Sequence, residues 1–359
     1  MIDTYSPLGD RDAIAGSMDA MIEEAQLAER AGFHSVVVPD RHRAPECRFA
    51  GPEQLLTVLA RETDRVAIGS YTFVGTLSHP MRSAEQFSVI DNLSRGRLFT
   101  TVSRGFLPDF WGQFGIPEER MLGRFLEGLK IWRHAFSGVR FSFEGEHWQV
   151  RQGQLAPPPY QPGGWPVWGG GNALAAARRS ADYSECWTSD PLPMTDVDWR
   201  ERSGAYRDRA RELGKQPFIV AMRDGWLADS FEAASREFGT HFIRSARFYV
   251  RHGLLQHPDF PTEADVTAES LAPYLVLGTA EQCIERLQAA EEERGIDYVI
   301  LCCRVSTGPS FESVREQISR LGAEVVAPIH ARSPAPDHPA IPSACRAGAG
   351  DGTAPPGRA

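Results

Sequence analysis

The feature that most constrains the fold of this chain is a helix-then-strand unit over residues 79–105, HPMRSAEQFSVIDNLSRGRLFTTVSRG. A proline at its start is typical of a first helical turn, and apolar residues then recur at helical spacing. A polar turn leads into an apolar strand over 98–102, which ends on Ser103, Arg104 and Gly105. A guanidinium and a bare backbone thus follow a strand, where parallel-sheet proteins bind anions. The unit predicts a site for an anionic group.

Helix-like and strand-like segments alternate along most of the chain, which favours consecutive βα units and a parallel sheet. The predicted strands are short apolar runs suited to burial on both faces, at 35–39, 66–74, 98–102, 166–171, 185–190, 218–227 and 297–303. The predicted helices lie at 16–31, 52–61, from 80, at 117–136, from 173, and at 195–213, 279–293 and 311–321. Seven parallel strands are one short of a closed eight-stranded barrel.

An insertion interrupts this alternation after the fourth βα unit. Residues 140–150 alternate around a Glu-Gly turn, which predicts a β-hairpin, and the segment GQLAPPPYQPGGWP that follows predicts an ordered extended loop. Residues 230–275 show no clear period. Beyond residue 330 the composition collapses to Pro, Ala, Gly and Ser. We therefore expect one domain over 1–330 and a disordered tail over 331–359.

The composition argues against several classes of partner. The chain has 359 residues, 42% of them hydrophobic and 24% charged, and its net charge of −9 disfavours nucleic acid and anionic membranes. No apolar run approaches the roughly 20 residues that cross a bilayer, and the first residues lack the layout of a signal peptide. A cytoplasmic protein is expected. His241, His252 and His257 do not stand at metal-ligand spacing with carboxylates, so no metal is assigned.

Several stretches, taken in order, carry a resemblance to a known family. Besides the pattern HP…AEQ…D.LS.GR…RG in residues 79–105, they are AERAGFHSVVVPDRH, PPPYQPGGWPVWGGG and YLVLGTAEQCIERLQ…GIDYVILCC. Together they resemble the luciferase-like monooxygenases, the relatives of bacterial luciferase, over roughly residues 16–330. The resemblance implies an α/β fold of the (β/α)8 TIM-barrel type, with the active site at the carboxyl ends of the strands.

Members of this family begin with a strand before the first helix. Only the short, polar segment 1–5 is available for it here. Either the chain is truncated at its start, or its first strand is unusually short.

The resemblance further implies a two-component flavin-dependent monooxygenase. Such an enzyme takes reduced FMN from a separate NAD(P)H:flavin reductase and uses O₂ to hydroxylate a small organic substrate or to carry out a Baeyer–Villiger oxidation. No GxGxxG stands between a strand and a helix to hold a nicotinamide cofactor. The aromatic strand-end loops suit a mid-sized apolar or aromatic substrate, for example one of secondary metabolism. The family often forms homodimers through the helices that here correspond to 51–62 and 80–92.

By resemblance, two strand ends line the phosphate end of the flavin site. Arg104 and Gly105 supply a guanidinium and free backbone at one of them. The second follows strand PVW and supplies backbone N–H groups just before a helix, at Gly170, Gly171, Asn172 and Ala173. A plain tight turn is the alternative for such a glycine run, and its place at a strand-to-helix junction favours the phosphate.

The flavin ring needs an apolar shelf with backbone close to it. The family places a bulge, often with a non-proline cis peptide, at the end of the strand that corresponds to 66–74. Carried over to this sequence, the bulge falls at Tyr71 and Thr72. The alternative for Tyr71 is a core aromatic residue at a strand end.

The predicted catalytic residues begin with Asp40, Arg41 and His42, directly after the strand at 35–39. In bacterial luciferase the matching tripeptide is an acid followed by two histidines, of which the first is catalytic. Arg41 departs from this pattern, because a guanidinium cannot exchange a proton near neutral pH as an imidazole can. Either His42 takes over the acid/base work, or Arg41 stabilises an anionic substrate or oxygenated flavin, or the chemistry needs no such base. The light reaction of luciferase is therefore not expected.

Ser103 is the remaining predicted catalytic residue. It stands where luciferase has a reactive cysteine near the flavin, and its hydroxyl is able to hydrogen-bond the flavin edge. A hydroxyl that bonds only its own backbone is the alternative.

Two other functions fit the same residues. Some members of the family use the deazaflavin F420 for hydride transfer, which would give a reduced or oxidised product without added oxygen. A non-catalytic flavin-binding paralogue is the second alternative, motivated by Arg41 and by the thin first strand.

Overall fold

The apolar runs of the sequence form one parallel sheet with helices along its outer face. The computed structural model describes residues 1, 10–42, 51–105, 111–189, 192–305, 307–334 and 336–346. In chain order the strands are β1 (Ser35–Val38), β2 (Ala67–Val74), β3 (Leu98–Ser103), β4 (Phe141–Glu144), β5 (Gln149–Gly153), β6 (Val167–Gly170), β7 (Cys186–Ser189), β8 (Ile219–Leu227), β9 (Val276–Gly278) and β10 (Tyr298–Cys302).

The helices follow the strands in the rhythm expected of βα units. In chain order they are α1 (Arg11–Arg30), α2 (Pro52–Glu62), α3 (Pro80–Ser94), α4 (Met121–Phe136), α5 (Leu174–Tyr183), α6 (Asp196–Glu212), α7 (Phe231–Ala234), α8 (Thr240–Arg251), α9 (Ala268–Leu271), α10 (Ala280–Arg294), α11 (Phe311–Leu321) and α12 (Ala327–Arg332). A π-helical turn over Ser235–Gly239 joins α7 to α8.

The sheet order is β1-β2-β3-β6-β7-β8-β10, with every neighbouring pair parallel. This confirms the α/β barrel-type fold and all seven predicted strands. Within the described residues β1 and β10 do not pair, so the sheet forms a half-barrel. The short strand β9 adds to the end of β8, and β4 and β5 form the predicted hairpin outside the main sheet.

The strands are buried on both faces, which is why each one is a nearly continuous apolar run. Residues that point to the inner face form one cluster, which includes Val37, Tyr71, Phe99, Trp168, Val220 and Ile300. The alternate residues pack outward against the helices, as Val36 and Val38 do with Leu56 and Leu59 of α2.

Side chains connect the two unpaired edges of the sheet. The hydroxyl of Tyr298 donates to Ser35 Oγ at 2.8 Å, and His34 Nδ1 lies 2.8 Å from the same hydroxyl. The amino group of Met1 donates to the carbonyl of Leu301 at 2.5 Å. Residues 2–5 of the segment available for a first strand lie outside the described residues.

A C-terminal segment, residues 336–346, covers the end of the barrel where the strands begin. The indole Nε1 of Trp168 donates to the carbonyl of Ala340 at 2.7 Å. The ring of His338 stacks on Phe218 with the centroids 4.5 Å apart. Both partners stand at the start of their strands, so this segment lies opposite the carboxyl ends.

The prediction of a disordered tail over 331–359 is wrong for the described part of that range. Helix α12 continues to Arg332, and Ile341 is fully buried in the cluster of inward-facing residues. The segment contains few apolar residues. Ala340 and Ile341 are nevertheless enough to hold it in place, because they pack against the inward-facing apolar residues of the strands. Residues 347–359 lie outside the described residues.

Candidate active site

Three neighbouring strands end together at the carboxyl edge of the sheet and bring predicted site residues into contact. Thr72 Oγ1 of β2 lies 3.1 Å from Ser103 Oγ of β3. A Cβ atom built on Gly170 of β6 would lie 3.2 Å from Thr72 Cγ2 and 3.4 Å from Thr188 Oγ1. Glycine therefore leaves backbone exposed at a point where any side chain would crowd its neighbours.

The bulge implied by the resemblance is present in β2. The peptide bond between Tyr71 and Thr72 is cis, and the register between β2 and β3 shifts between Ser70 and Phe73. The Tyr71 ring is buried on the inner face, and its hydroxyl donates to the carbonyl of Ser189 at 2.8 Å. Tyr71 is thus a core aromatic residue, while Thr72 turns its half-buried side chain towards Ser103.

The glycine run after β6 leads straight into helix α5. Gly171 has a φ of +143°, and Ala173 is the N-cap without any side-chain hydrogen bond to the first turn. No acidic residue occupies that turn, so the N–H groups of the helix start remain suited to an anion. Asn172 stands between them.

The register between β3 and β6 shows that Arg104 and the glycine run before α5 both follow the same end of the sheet. Val102 pairs with Gly169, so Arg104 lies two residues further along, level with Gly171. The Arg104 side chain is exposed, and its carbonyl accepts a hydrogen bond from Thr76 Oγ1 at 3.2 Å. The backbone of Arg104 is therefore held while its side chain faces solvent.

Tight packing defines the turn that follows Arg104. Gly105 has a φ of +87°, and a Cβ there would lie 3.1 Å from Val74 and 3.3 Å from the Trp111 ring. Trp111 is buried at this edge, whereas the aromatic residues Phe106 and Phe110 lie outside the described residues. The Arg124 guanidinium donates to the carbonyl of Thr76 at 3.0 and 3.2 Å.

Asp40 and His42 form a pair at the end of β1. Asp40 is buried; its Oδ2 accepts from the backbone N–H of Val74 at 2.9 Å, and its Oδ1 lies 2.8 Å from His42 Nε2. The carboxylate thus ties the imidazole to the end of β2. Gln113 donates to the carbonyl of His42, and Phe114 meets the imidazole edge-on at 5.3 Å.

Asp224 is a further acid near the carboxyl edge of the sheet, and it was not predicted from the sequence. Asp224 lies on β8 two residues beyond Met222, whose side chain points inward like that of Val220. It pairs in register with Cys302, the last residue of β10, and its nearby charges include Arg41. Burial raises the pKa of Asp224 to about 7, although the Cys302 thiol and Arg41 act in the opposite direction.

Several polar residues of the 79–105 unit prove to be scaffold. His79 caps α3, because its side chain accepts from the backbone N–H of Met81. Asp91 accepts from both nitrogens of Gln161, at 3.0 and 2.7 Å. Arg97 is buried and donates five hydrogen bonds, four of them to carbonyls at the end of α2, just before β2 and at the end of α3.

The histidines outside this site contact neighbouring side chains. His257 Nε2 lies 2.9 Å from the Tyr274 hydroxyl, and His241 Nδ1 lies 3.4 Å from Thr307 Oγ1. Among the described residues no group of three or more His, Cys, Asp or Glu side chains is placed to hold a metal ion. None of the helices that the structure describes is both long and apolar enough to span a bilayer.

Converging strand ends, an uncapped helix start and an exposed arginine side chain at one edge of a barrel-type sheet are features suited to binding a phosphorylated small molecule. The chain belongs to the luciferase-like monooxygenase family, whose family profile matches residues 4–298. It is an oxidoreductase of the luciferase-like type.

Known relatives include both flavin and deazaflavin enzymes. The oxygenase component of the flavin-dependent trigonelline monooxygenase of Acinetobacter baylyi is 25% identical over 342 residues, covering 86% of this chain and 89% of the relative. The oxygenating constituent of 3,6-diketocamphane monooxygenase from the CAM plasmid of Pseudomonas putida, a type II Baeyer–Villiger monooxygenase solved with FMN, has a TM-score of 0.74 at 18% identity, covering 91% and 96% of the two chains. An F420-dependent secondary alcohol dehydrogenase solved with an F420-acetone adduct has a TM-score of 0.70 at 17% identity, covering 86% and 94%.

Proposed function

We propose that this chain is the oxygenase component of a two-component flavin-dependent monooxygenase. It receives reduced FMN from a separate NAD(P)H:flavin reductase and uses O₂ to oxidise a mid-sized apolar or aromatic molecule, by hydroxylation or Baeyer–Villiger reaction. The meeting of Thr72, Ser103 and Gly170, continued by Arg104 and the start of α5, is the observation that carries the proposal. The name of the trigonelline monooxygenase relative supports the two-component type.

The residues present fit FMN at both of its ends. The N–H groups at the start of α5, where Ala173 provides no side-chain cap, and the guanidinium of Arg104 suit a phosphate, which prefers charge-assisted donors. The bare backbone of Gly170 beside the hydroxyls of Thr72 and Ser103 suits a flat ring with polar edges. Gly105 and Trp111 close the adjoining turn and keep water from that side.

When bound, reduced FMN supplies the electrons that activate O₂. The protein's own contribution to proton transfer comes from His42. Asp40 holds this imidazole by one carboxylate oxygen while the other is fixed by the Val74 N–H, so the acid orients His42 as a general acid or base.

Equilibrium binding of oxidised FMN, photoreduced FMN and F420 under anaerobic conditions tests this proposal. Reduced FMN should bind most tightly, and Arg104→Ala should weaken its binding by about 10- to 100-fold, because a charge-assisted phosphate contact contributes roughly 1.5–3 kcal/mol. Arg211→Ala is the matched control, since Arg211 is a surface arginine of α6 that pairs with Asp208 on the same helix.

The other outcomes point to the alternative functions. Preferential binding of F420 would replace oxygen transfer by hydride transfer, a chemistry found in the F420-dependent relative. Tight binding of reduced FMN without oxygen consumption in the presence of a reductase, across a substrate panel, would favour a flavin-binding paralogue. Binding of none of the three would refute the cofactor assignment.

A further inference from the structure

Hydrogen bonds join the turn after β2 to the turn after β3 at the phosphate end of the candidate site. Thr76 follows β2 by two residues and is fully buried, and its Oγ1 donates to the carbonyl of Arg104 at 3.2 Å. One residue earlier, the backbone N–H of Gly75 donates to the carbonyl of Ser103 at 3.3 Å. These bonds fix the backbone on both sides of the Arg104 Cα atom, so they set the direction in which its side chain leaves the chain.

Arg124 of α4 holds Thr76 from outside the sheet. Its Nε and Nη2 both donate to the Thr76 carbonyl, at 3.2 and 3.0 Å. Two N–H bonds from one planar guanidinium hold their acceptor in orientation as well as in distance. Because the carbonyl of Thr76 accepts from Arg124 and its hydroxyl donates to Arg104, this residue links α4 to the turn that carries Arg104.

Trp148, in the turn between β4 and β5, holds Arg124 at two points. Its indole Nε1 donates to the carbonyl of Arg124 at 2.9 Å, and the centre of the Arg124 guanidinium lies 4.0 Å from the centroid of its ring. A guanidinium over an indole face is attracted to it. Glu127 of α4 fixes the same turn, because its carboxylate accepts from the N–H groups of residues 146, 147 and 148 at 2.9, 2.9 and 3.0 Å.

We propose that Thr76, Arg124 and Trp148 are positioning residues for Arg104, so that the β4–β5 hairpin supports the phosphate end of the site from outside the main sheet. The inference rests on the proposed function, since the phosphate of reduced FMN is the ligand that Arg104 would meet. Arg124 acts through the Thr76 carbonyl and not on the phosphate itself. A backbone that is fixed before the ligand arrives lowers the entropy cost of binding.

The dissociation constants of photoreduced FMN and photoreduced riboflavin, measured anaerobically, test this role because only FMN carries the phosphate. The ratio of the riboflavin constant to the FMN constant reports the phosphate end, whereas a distorted ring site changes both constants. Thr76→Val keeps the shape of the side chain and removes its hydrogen bond to Arg104. It should reduce the ratio about two- to tenfold, the range for one hydrogen bond, and an unchanged ratio would overturn the proposal.

The same substitution in an Arg104→Ala background separates positioning from a general structural effect. If Thr76 acts through Arg104, Thr76→Val should leave the ratio of the Arg104→Ala protein unchanged. An equal reduction in both backgrounds would overturn the proposal.

Two further variants test the links from the hairpin. Arg124→Lys should also reduce the ratio, because an ammonium group does not reproduce the paired N–H bonds of a guanidinium. Trp148→Phe keeps an aromatic ring and loses the indole N–H, so its reduction should be smaller and in the same direction. A wild-type ratio in Arg124→Lys would overturn the proposal. So would a reduction by Arg124→Lys that persists in the Arg104→Ala background, since Arg124 would then contact the phosphate directly.

Thr63→Val is the matched control at the opposite end of the sheet. Thr63 is buried, and its hydroxyl donates to the carbonyl of Leu59 at 2.6 Å and accepts from Arg97 at 2.8 Å. Its replacement should lower the melting temperature without changing the ratio. A changed ratio would show that lost stability alone accounts for the effect of Thr76→Val.

Hydrogen exchange of the flavin-free protein, followed by mass spectrometry, tests the contacts without any ligand. The N–H groups of residues 72–78 should exchange faster in Arg124→Lys and Trp148→Phe than in the wild type, whereas those of β8 should not change. Unchanged exchange at 72–78 would overturn the proposal. If the wild type binds neither flavin, the proposed function fails, while the exchange measurement still decides whether the hairpin holds Thr76.

Discussion

A buried ion pair ties the first helix to the loop after β10. Arg304 donates two hydrogen bonds to Glu24, at 2.9 and 2.5 Å, and neither side chain is more than 1% exposed. The guanidinium also covers the ring of Phe311, 4.1 Å from its centroid. Burial raises the pKa of Glu24 and the Arg304 guanidinium acts against that rise, so the Glu24 carboxylate depends on Arg304 to remain charged.

Removal of the cation alone should be severe. Arg304→Met leaves the Glu24 carboxyl buried without its partner, and we expect the free energy of unfolding to fall by about 3–5 kcal/mol in guanidinium denaturation. The double variant Glu24→Leu/Arg304→Met should recover most of that loss. A double variant as unstable as the single one would show that packing, not charge, accounts for the effect.

Asp224 should make stability depend on pH. Between its ordinary pKa of 3.8 and its raised value of about 7 the folded protein holds a proton that the unfolded chain has released. Stability from this group is therefore lost as the pH rises through that window. The unfolding free energy of Asp224→Asn relative to the wild type should increase from about pH 4 to about pH 7 in urea titrations. Asp208→Asn, at an exposed aspartate, should give a flat difference, and a flat difference for Asp224→Asn would contradict the prediction.

Single residues of the site were predictable where a motif marks them, and not elsewhere. Thr72, Ser103 and Gly170 lie at or near the carboxyl ends of apolar strands, and parallel strands end at one edge, so their proximity follows from the pattern. Asp224 interrupts an apolar run that extends beyond it to Leu227. Its place near the carboxyl edge of the sheet depends on β7 ending earlier than β8, and no local sequence pattern reveals where β7 ends.

Among the elements, the parallel strands were the most predictable and the segment after β8 the least. Strands covered on both faces need apolar residues at every position, and short runs bounded by polar turns show this clearly. The helical stretch from α7 to α8 contains a π-helical turn over Ser235–Gly239, which shifts the phase of the apolar residues and hides the helical period. β9 has only three residues, too few to show any alternation.

The start of α5 depends on a glycine. Gly171 has a φ of +143°, and a Cβ there would lie 2.8 Å from the Cβ of Ala176 in the first turn of the helix. Gly171→Ala should lower the unfolding free energy by roughly 1–3 kcal/mol and weaken binding of reduced FMN, because the helix start must move. Gly214→Ala is the control, since Gly214 also has a positive φ but has no neighbour within 4 Å of the added Cβ. Equal effects of the two substitutions on FMN binding would argue against a role for the α5 start.

The C-terminal segment should contribute to stability from the far end of the barrel. Ile341 is fully buried among the inward-facing residues. Ile341→Ala should cost about 2–5 kcal/mol in chemical denaturation, as for other core truncations, without a change in the dissociation constant of FMN. Val139→Ala, at a valine that is 66% exposed, should change stability by less than about 0.5 kcal/mol. A similarly small effect of Ile341→Ala would mean that the segment contributes little to the folded state.

For the whole molecule we propose a homodimer through α2 and α3. Val58 of α2 and Val89 of α3 are 39% and 42% exposed. Between these helices lies a groove of about 330 Å³ lined by Glu53, Gln54, Thr57, Arg82, Glu85, Gln86, Val89 and Ala156. Apolar side chains beside polar residues on two adjacent helices are suited to a symmetric interface.

Sedimentation equilibrium should find a dimer of the wild-type chain. The double variant Val58→Glu/Val89→Glu should be monomeric, since like charges would face each other across the two-fold axis. Val197→Glu, at an equally apolar but 69% exposed position on α6, should remain dimeric. A wild-type monomer at micromolar concentration, or a dimer that survives the double substitution, would contradict the proposed interface.

The family and the barrel-type fold follow from the sequence, whereas the reaction is decided by fewer residues. Of the solved structures with the same fold, one is described as a complex with FMN and another as an F420-dependent enzyme. The barrel itself therefore does not determine the cofactor. We expect differences of that kind to reside in strand-end residues such as Arg41 and in the loops around them. The sequence therefore predicts the scaffold and the phosphate end of the site better than the end that meets the substrate.

The position of the C-terminal segment has a consequence for synthesis of the chain on the ribosome. Trp168 and Ala340, which share a hydrogen bond, are 172 residues apart. At about 5–20 residues per second, roughly ten to thirty seconds pass between translation of the two. During that time the C-terminal segment does not yet cover the start of β6 and of its neighbouring strands. Their apolar side chains at that end of the barrel are therefore exposed. Chaperones that recognise exposed apolar surface therefore have a limited time in which to bind this chain. That time ends only when residue 341 has left the ribosome.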